Sequence, residues 1–537
     1  TVGPYEYIAG KVHFEIDPNH PENLSITDIG LAPTNRNGHV EFSSDFAVLR
    51  PQDPSKGRGS VLLDVVNRGR KTVLKSFNSV ADSDDLSAPL KAGNGFLMSH
   101  GYTVVFCGWQ SDVPESEDLL GLDGSEAYED GSKLTGKVLN QYQSNEMVSV
   151  FPLADREHVT LNAVDIYQED AQMTVRIHPN DPPIKIPRES WDLINLDNEE
   201  GCGRPNKVII HDGFEPGKIY QLVYTAEGSR VVGLGFVVVR DLSSFLKYAR
   251  GEDGNFLEGS VDRVHAFGSS QTGRFLRQYI GTGVNIDEQG RQAVDGIIAH
   301  VGGGMRGEFN LRFGQPSKDV CYIIPELFPF ASLPQTDPLT GKTMGLLDSV
   351  RGQDMVPKIM FTNSSAEYWR GDAALIHTNL EYLGDAVEDP NVRIYHFAGT
   401  QHGTGSFPPS SVRADGVKGH LPFNAVDYTP LLRAALSNLD SWIRDGSAPP
   451  ASKHPNFSEC SAVDSLSLLT RFKEVPGVRV PAKVLNAITL DYGSDLTKGR
   501  TTKLPPVEGK TYPALVSDVD ETLNEIISTG SDHYFVT

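Results

Sequence analysis

The stretch Val264–Arg274, VHAFGSSQTGR, runs from an apolar strand into a helix through Gly268-Ser269-Ser270-Gln271-Thr272-Gly273. A nucleophile held on a sharp strand-to-helix turn needs small residues two places before and two places after it, because those side chains face crowded neighbours. Ser270 has Gly268 and Thr272 at those positions, whereas Ser269 has Phe267 and Gln271. Ser270 is therefore the candidate nucleophile. Thr272 departs from the usual glycine, which comes one place later as Gly273.

Working outward, strands and helices alternate on both sides. Ser60–Val66 (SVLLDVV) is an apolar run typical of a strand buried on both faces, ending in the loop Asn67-Arg68-Gly69-Arg70. Gly95–Gly101 reads as a helix end and Tyr102–Phe106 as the next strand, which makes a βαβ unit and a parallel sheet. Downstream, helices are expected at Val231–Ala249, Gln271 to about Ile280 and Asn424–Asp445. Strands are expected at Val261–Phe267, Asp295–Val301, Pro357–Thr362 and Val392–Phe397. Short strands are expected at 5–16, 25–32 and 39–49. Residues 111–230 are polar, dotted with Pro and Gly, and carry strand-like pieces such as MTVRIHP and KIYQLVYTA. We expect a β-rich cap inserted there into a core made of 1–110 and 231–537. The last 90 residues or so are too mixed to assign.

A serine hydroxyl needs a base within hydrogen-bond reach, and on such sheets the acid follows the serine in sequence and the histidine comes last. Of 15 histidines, His402 alone lies in a glycine-flanked loop past a late strand, in Ala398-Gly399-Thr400-Gln401-His402-Gly403. His265, His300 and His396 fall inside expected strands and read as packed core or supporting residues. Asp354 precedes the strand Pro357–Thr362, so the acid is sought past it: Glu367, a few residues beyond the strand, is preferred to Asp372, which is expected in the following helix. The oxyanion would be held by the backbone amides of Gln271, at the positive end of its helix, and of Arg68. Trp109 and Trp369 are candidate pocket-lining residues.

The segment order and elbow are similar to the α/β-hydrolase superfamily. GSSQTGRFLR, HVGGGMRGEFN, TNSSAEYWR and GTQHG resemble one bacterial and fungal family of large α/β-hydrolase-domain proteins with a GSSQTG elbow, over the chain up to Pro449-Pro450. The resemblance implies an α/β fold with a mostly parallel sheet flanked by helices, and a serine hydrolase acting on carboxylic esters or lactones. It also places the acid and base at Glu367 and His402. The same three residues could run amide cleavage or a lyase reaction, and a non-catalytic hydrolase-like binding protein is the rival from another class. Haloalkane and epoxide hydrolysis use a carboxylate nucleophile in this fold, which Ser270 does not supply.

Composition narrows the partners. The 537 residues carry 48 basic and 70 acidic side chains, a net charge of −22, which argues against nucleic acid and anionic membranes. Hydrophobic residues at 39% suffice for a large core. Gly (52) and Pro (34) reach about 16%, above the usual ~12%, so long loops are expected. The apolar run Val231–Val239 is too short to span a bilayer. Four scattered cysteines, Cys107, Cys202, Cys321 and Cys460, suggest neither disulfides nor a metal, and no cofactor is expected. Gly302–Gly307 matches G-x-G-x-x-G but is not followed by a helix, and reads as a rim loop. Asp82–Asp85 and Asp518–Asp520 lack the spacing of a calcium loop. The chain opens at Thr1 without Met, consistent with a removed leader and a secreted or periplasmic protein, or else a cytoplasmic one. Three Asn-x-Ser tripeptides, at Asn23, Asn363 and Asn456, do not decide between these.

Overall fold

The computed structural model describes residues 2–80, 90–155, 158–195, 204–319, 327–352, 355–412 and 418–526. Asp82–Asp85, Cys202, Cys321 and Asp354 lie outside them.

Eight strands make the spine of the main sheet. They are β1 (Tyr5–Ile16), β2 (Val40–Pro51), β3 (Ser60–Val65), β4 (Thr103–Cys107), β5 (Arg263–Ser269), β6 (Gly296–His300), β7 (Lys358–Ser364) and β8 (Val392–Phe397). Their spatial order is β1-β2-β4-β3-β5-β6-β7-β8, and the two-residue strand Leu122–Asp123 pairs with β2. From β4 to β8 every pairing is parallel, while β1, β2 and β4 pair antiparallel. The apolar runs explain the difference in position. β3, β4 and β6 are buried along their whole length, as strands covered on both faces must be. β1 shows mostly partial or full exposure, as expected at a sheet edge.

Helices α1 (Val73–Asn78), α2 (Leu234–Tyr248), α3 (Gln271–Thr282), α4 (Ser365–Trp369), α5 (Thr429–Asp445) and α6 (Ser465–Phe472) complete the core. The apolar run Val231–Val239 feeds α2, a helix buried along most of its length against the sheet. Its Gly235 has no room for a side chain, since a Cβ there would stand 2.4 Å from the Trp109 carbonyl oxygen. Among the described residues no helix is long and apolar enough to cross a membrane. In α5, Leu432, Leu436 and Leu439 are buried at helical spacing, with Pro430 in the first turn and Gly446 (φ 73°) closing the end.

Between Leu122–Asp123 and α2 the chain builds antiparallel sheets of its own. One has the order Ile184–Ile186, Gln172–Arg176, Ile219–Glu227, Thr135–Tyr142, and another joins Trp191–Ile194, Lys207–Phe214 and Val148–Pro152. Beyond α5, a hairpin of Ile488–Asp491 with Val507–Thr511 and a pair of Ala462–Asp464 with Leu515–Ser517 give the C-terminal stretch a structure that its mixed composition hides.

Residues 25–32 do not form the expected strand. They make turns and a short 3₁₀ helix, Ile29–Leu31, because Thr27 bonds through both its amide and hydroxyl to Asn310, and Asp28 pairs with Arg312. Two of the Asn-x-Ser asparagines are buried: Asn23 donates to the Asp17 carbonyl and to Glu288, and Asn363 lies inside β7.

A charge cluster ties α5 to the amino ends of β3 and β5. Asp440, fully buried, accepts from Arg58, Ser60, His265 and Arg444, with Arg263 at 3.6 Å. Burial would raise this carboxyl, but the bonds from His265 and Ser60 and the neighbouring charges hold it well below the usual carboxylate range. A depressed carboxyl stabilises the fold above its unfolded pKa and loses that contribution as pH falls. Asp440→Ala is expected to cost about 3 kcal/mol, because three arginines and a histidine lose their acceptor together. Denaturant midpoints checked at pH 7 and pH 3 should show the difference from wild type shrinking at the acid end.

Candidate active site

β5 delivers its last residues to the centre of the sheet's carboxyl edge. The turn is tight: a Cβ on Gly268 would lie 2.3 Å from the Thr272 carbonyl oxygen, and one on Gly273 would lie 2.5 Å from the His300 carbonyl oxygen. Glycine is therefore required at 268 and 273. Position 272 tolerates a threonine whose hydroxyl accepts from the Ser269 amide at 2.9 Å. Gly273→Ala is expected to lower stability by roughly 1–3 kcal/mol through overpacking against β6, a shift readable by thermal melting.

Ser270 itself has φ 59° and ψ −111°, a conformation that non-glycine residues rarely adopt. Its amide donates to the His300 carbonyl at 2.9 Å, and its carbonyl starts α3 by accepting from Arg274 at 3.0 Å. A serine at a helix N-cap ordinarily bonds its side chain to the first turn. Here the hydroxyl makes no cap bond and lies 2.8 Å from His402 Nε2.

His402 sits in the loop after β8, with its side chain 30% exposed and so reachable from solvent. Its Nδ1 is 2.6 Å from Glu367 Oε1, and its carbonyl accepts from the Tyr428 hydroxyl at 2.8 Å. Glu367 is buried in α4, directly past β7. The Ser364 amide and hydroxyl both donate to its Oε2, at 2.8 and 2.7 Å, and the Ser364 hydroxyl oxygen accepts in turn from the Ala366 amide at 3.3 Å, a capping box with Ser364 as the N-cap. Burial favours the neutral acid. The adjacent His402, through charge and hydrogen bond, then Arg370 and Ser364, outweigh burial and bring the carboxyl down to about 2. Asp372 is engaged elsewhere: it pairs with Arg370 at 2.6 Å and accepts from the Gly304 amide at 2.8 Å.

The expected oxyanion donors are neighbours. The Gln271 amide is the first N–H of α3, with no acceptor inside the helix. The Arg68 amide donates at 3.1 Å to the Gln271 side-chain oxygen, and Asn67 donates to the Ser269 carbonyl, so the turn after β3 is tied to the elbow. The Gln271 carboxamide also donates to Gln110 and to the Pro316 carbonyl.

Trp109 is buried, its indole donating to the Val66 carbonyl at 2.8 Å and its ring packed on Phe275 and Phe309. Trp369 packs against Phe472, a contact between α4 and α6. Both make packing contacts between elements. The Gly302–Gly307 loop holds the back of the elbow, with the Gly303 amide donating to Asn363 and Gly302 lying against Gly273. His300 is likewise structural: burial pushes it down to about 3, and its Nδ1 lies 2.9 Å from the Thr362 hydroxyl. Among the described residues no group of three His, Cys, Asp or Glu could hold a metal ion. Cys107 and Cys460 are free thiols.

A mostly parallel sheet in this strand order, with a strained serine turn after its fifth strand, is the arrangement of the α/β-hydrolase class of proteins. The chain belongs to the alpha/beta hydrolase domain family, whose model matches residues 197–488. That stretch includes Ser270, Glu367 and His402 and leaves out Arg68. Searches of curated proteins and of solved structures returned no match.

Proposed function

We propose that the protein is a serine hydrolase that cleaves a carboxylic ester or lactone through an acyl-enzyme. The observation that carries this reading is the chain of two hydrogen bonds from Ser270 Oγ through His402 to Glu367, drawn from the ends of three parallel strands.

His402 Nε2 takes the hydroxyl proton as Ser270 Oγ attacks the carbonyl carbon. Glu367 accepts the Nδ1–H, which fixes the tautomer and stabilises the imidazolium without taking the proton. The developing oxyanion is met by the Gln271 amide at the positive end of α3, with a second donor from the Arg68 turn. For Arg68 to contribute, its amide must exchange the Gln271 side-chain oxygen for the substrate oxygen. The tetrahedral intermediate then collapses, and the imidazolium protonates the leaving alkoxide. In a lactone the alcohol remains tethered to the acyl group. Water, deprotonated by His402, attacks the acyl-enzyme, and its collapse returns the proton to Ser270 Oγ and releases the acid. Glu367 stays ionised down to about pH 2, so the charge that orients His402 persists across the whole neutral range.

The test is a panel of p-nitrophenyl esters, lactones and anilides of graded acyl size. Ester or lactone turnover well above anilide turnover is expected. Turnover of anilides alone would replace the ester reading with an amidase, and acyl transfer to none would favour the binding-protein rival.

A further inference from the structure

The ladder between β7 and β8 ends at the pair Ser364–Phe397. Beyond it the two connections part. One becomes α4 and carries Glu367; the other becomes the loop that carries His402. Their separation must nevertheless hold a 2.6 Å hydrogen bond between residues 35 positions apart.

A carboxylate from the far end of the chain occupies the place where the next rung would be. Glu525 Oε2 accepts from the Ser365 hydroxyl at 2.6 Å, the Gly399 amide at 2.8 Å and His396 Nε2 at 3.0 Å. Ser365 is the first residue of α4, and Gly399 lies two residues past the end of β8. One oxygen thus joins both connections and the strand between them. The side chain is only 12% exposed. Burial works against its charge, but the bonds from His396, Ser365 and Gly399 hold it below the usual carboxylate range, so it is an anion meeting three donors.

The turn presenting Glu525 is itself anchored. Asp520 Oδ1 accepts from the Thr522 and Asn524 amides, and Arg471 of α6 donates to Asp518 and to the Val519 and Asp520 carbonyls. The Ile526 amide donates to the Asp518 carbonyl at 2.8 Å. This segment lies beyond residue 488, where the family match ends.

We propose that Glu525 is a positioning residue, whose carboxylate clamps the acid-bearing helix to the histidine-bearing loop and so sets the distance from Glu367 to His402. The proposal rests on the reading of Ser270, His402 and Glu367 as the catalytic trio. Small displacements of catalytic groups cost rate steeply, because reaction needs near-attack geometry.

The test compares Glu525→Ala, Glu525→Asp and Glu525→Gln in the full chain. It reads kcat and KM for a p-nitrophenyl ester and deuterium uptake by peptides covering 362–370 and 396–403. The Ala and Asp variants should lose kcat by roughly 10- to 100-fold with little change in KM, and should take up deuterium faster in 396–403. Glu525→Gln retains a carbonyl that can accept the same bonds, and should keep uptake and kcat close to wild type. Unchanged kcat and uptake in Glu525→Ala would overturn the proposal. So would a Gln variant as impaired as the Ala variant, since charge rather than the shared acceptor would then be at work. Should Glu525→Ala fail to fold, the contrast between the Asp and Gln variants decides. If wild type itself turns over no ester, the catalytic reading fails, while deuterium uptake still decides whether Glu525 holds the two segments.

Discussion

Ser270→Ala is expected to lower ester turnover by about five to six powers of ten while leaving the melting temperature nearly unchanged. The hydroxyl makes no capping bond, and its partner is His402. Its loss therefore removes a nucleophile without opening the fold. A residual rate from bound substrate and backbone donors should survive above water alone. Ser270→Gly sharpens the test. At φ 59° and ψ −111° a glycine pays no steric penalty, so this variant should be more stable than wild type by about 1 kcal/mol and equally inactive. Stability rising as activity disappears is the signature of strain kept for function. Retained turnover in either variant would remove Ser270 from the chemistry.

Glu367→Gln should reduce kcat by about 10⁴-fold with a small change in KM. The amide matches the carboxylate in shape but cannot stabilise an imidazolium, and its NH₂ group turned toward His402 would favour the wrong tautomer. The carboxyl is ionised down to about pH 2, so the loss should persist across the neutral range rather than appear only at high pH. Asp372→Asn is the informative control. Its partners are Arg370 and the Gly304 amide, and it should affect stability more than kcat. Equal kcat losses in the two variants would contradict the assignment of the acid.

The parallel half of the sheet was legible because strands buried on both faces must be apolar runs, as SVLLDVV and YTVVF are. Ser270, Glu367 and His402 could be singled out because each follows such a strand closely, and the structure brings their side chains into a single hydrogen-bonded chain. One local signal went unread: Ser364-Ser365-Ala366-Glu367 is a capping box, which ties Glu367 to the start of α4 and separates it from Asp372. Tyr428 and Glu525 had no such signal. Their contacts to the histidine loop cross 26 and 126 residues, and no periodicity encodes a partner at that separation. The indole bond from Trp109 to the Val66 carbonyl, which crosses 43 residues, is equally invisible to the local pattern. The stretch 25–32 was misread because its apolar Ile26 and Ile29 are buried by turns, without a strand's alternation.

The most direct measurement is treatment of the folded protein with a fluorophosphonate, followed by intact mass and peptide mapping. Ser270 is expected to carry a single stoichiometric phosphonyl adduct. Labelling should be absent in Ser270→Ala and slowed by orders of magnitude in His402→Ala, where no base takes the hydroxyl proton. A folded protein left unlabelled, or labelled elsewhere while Ser270 stays free, would contradict the proposal that this serine is the activated nucleophile.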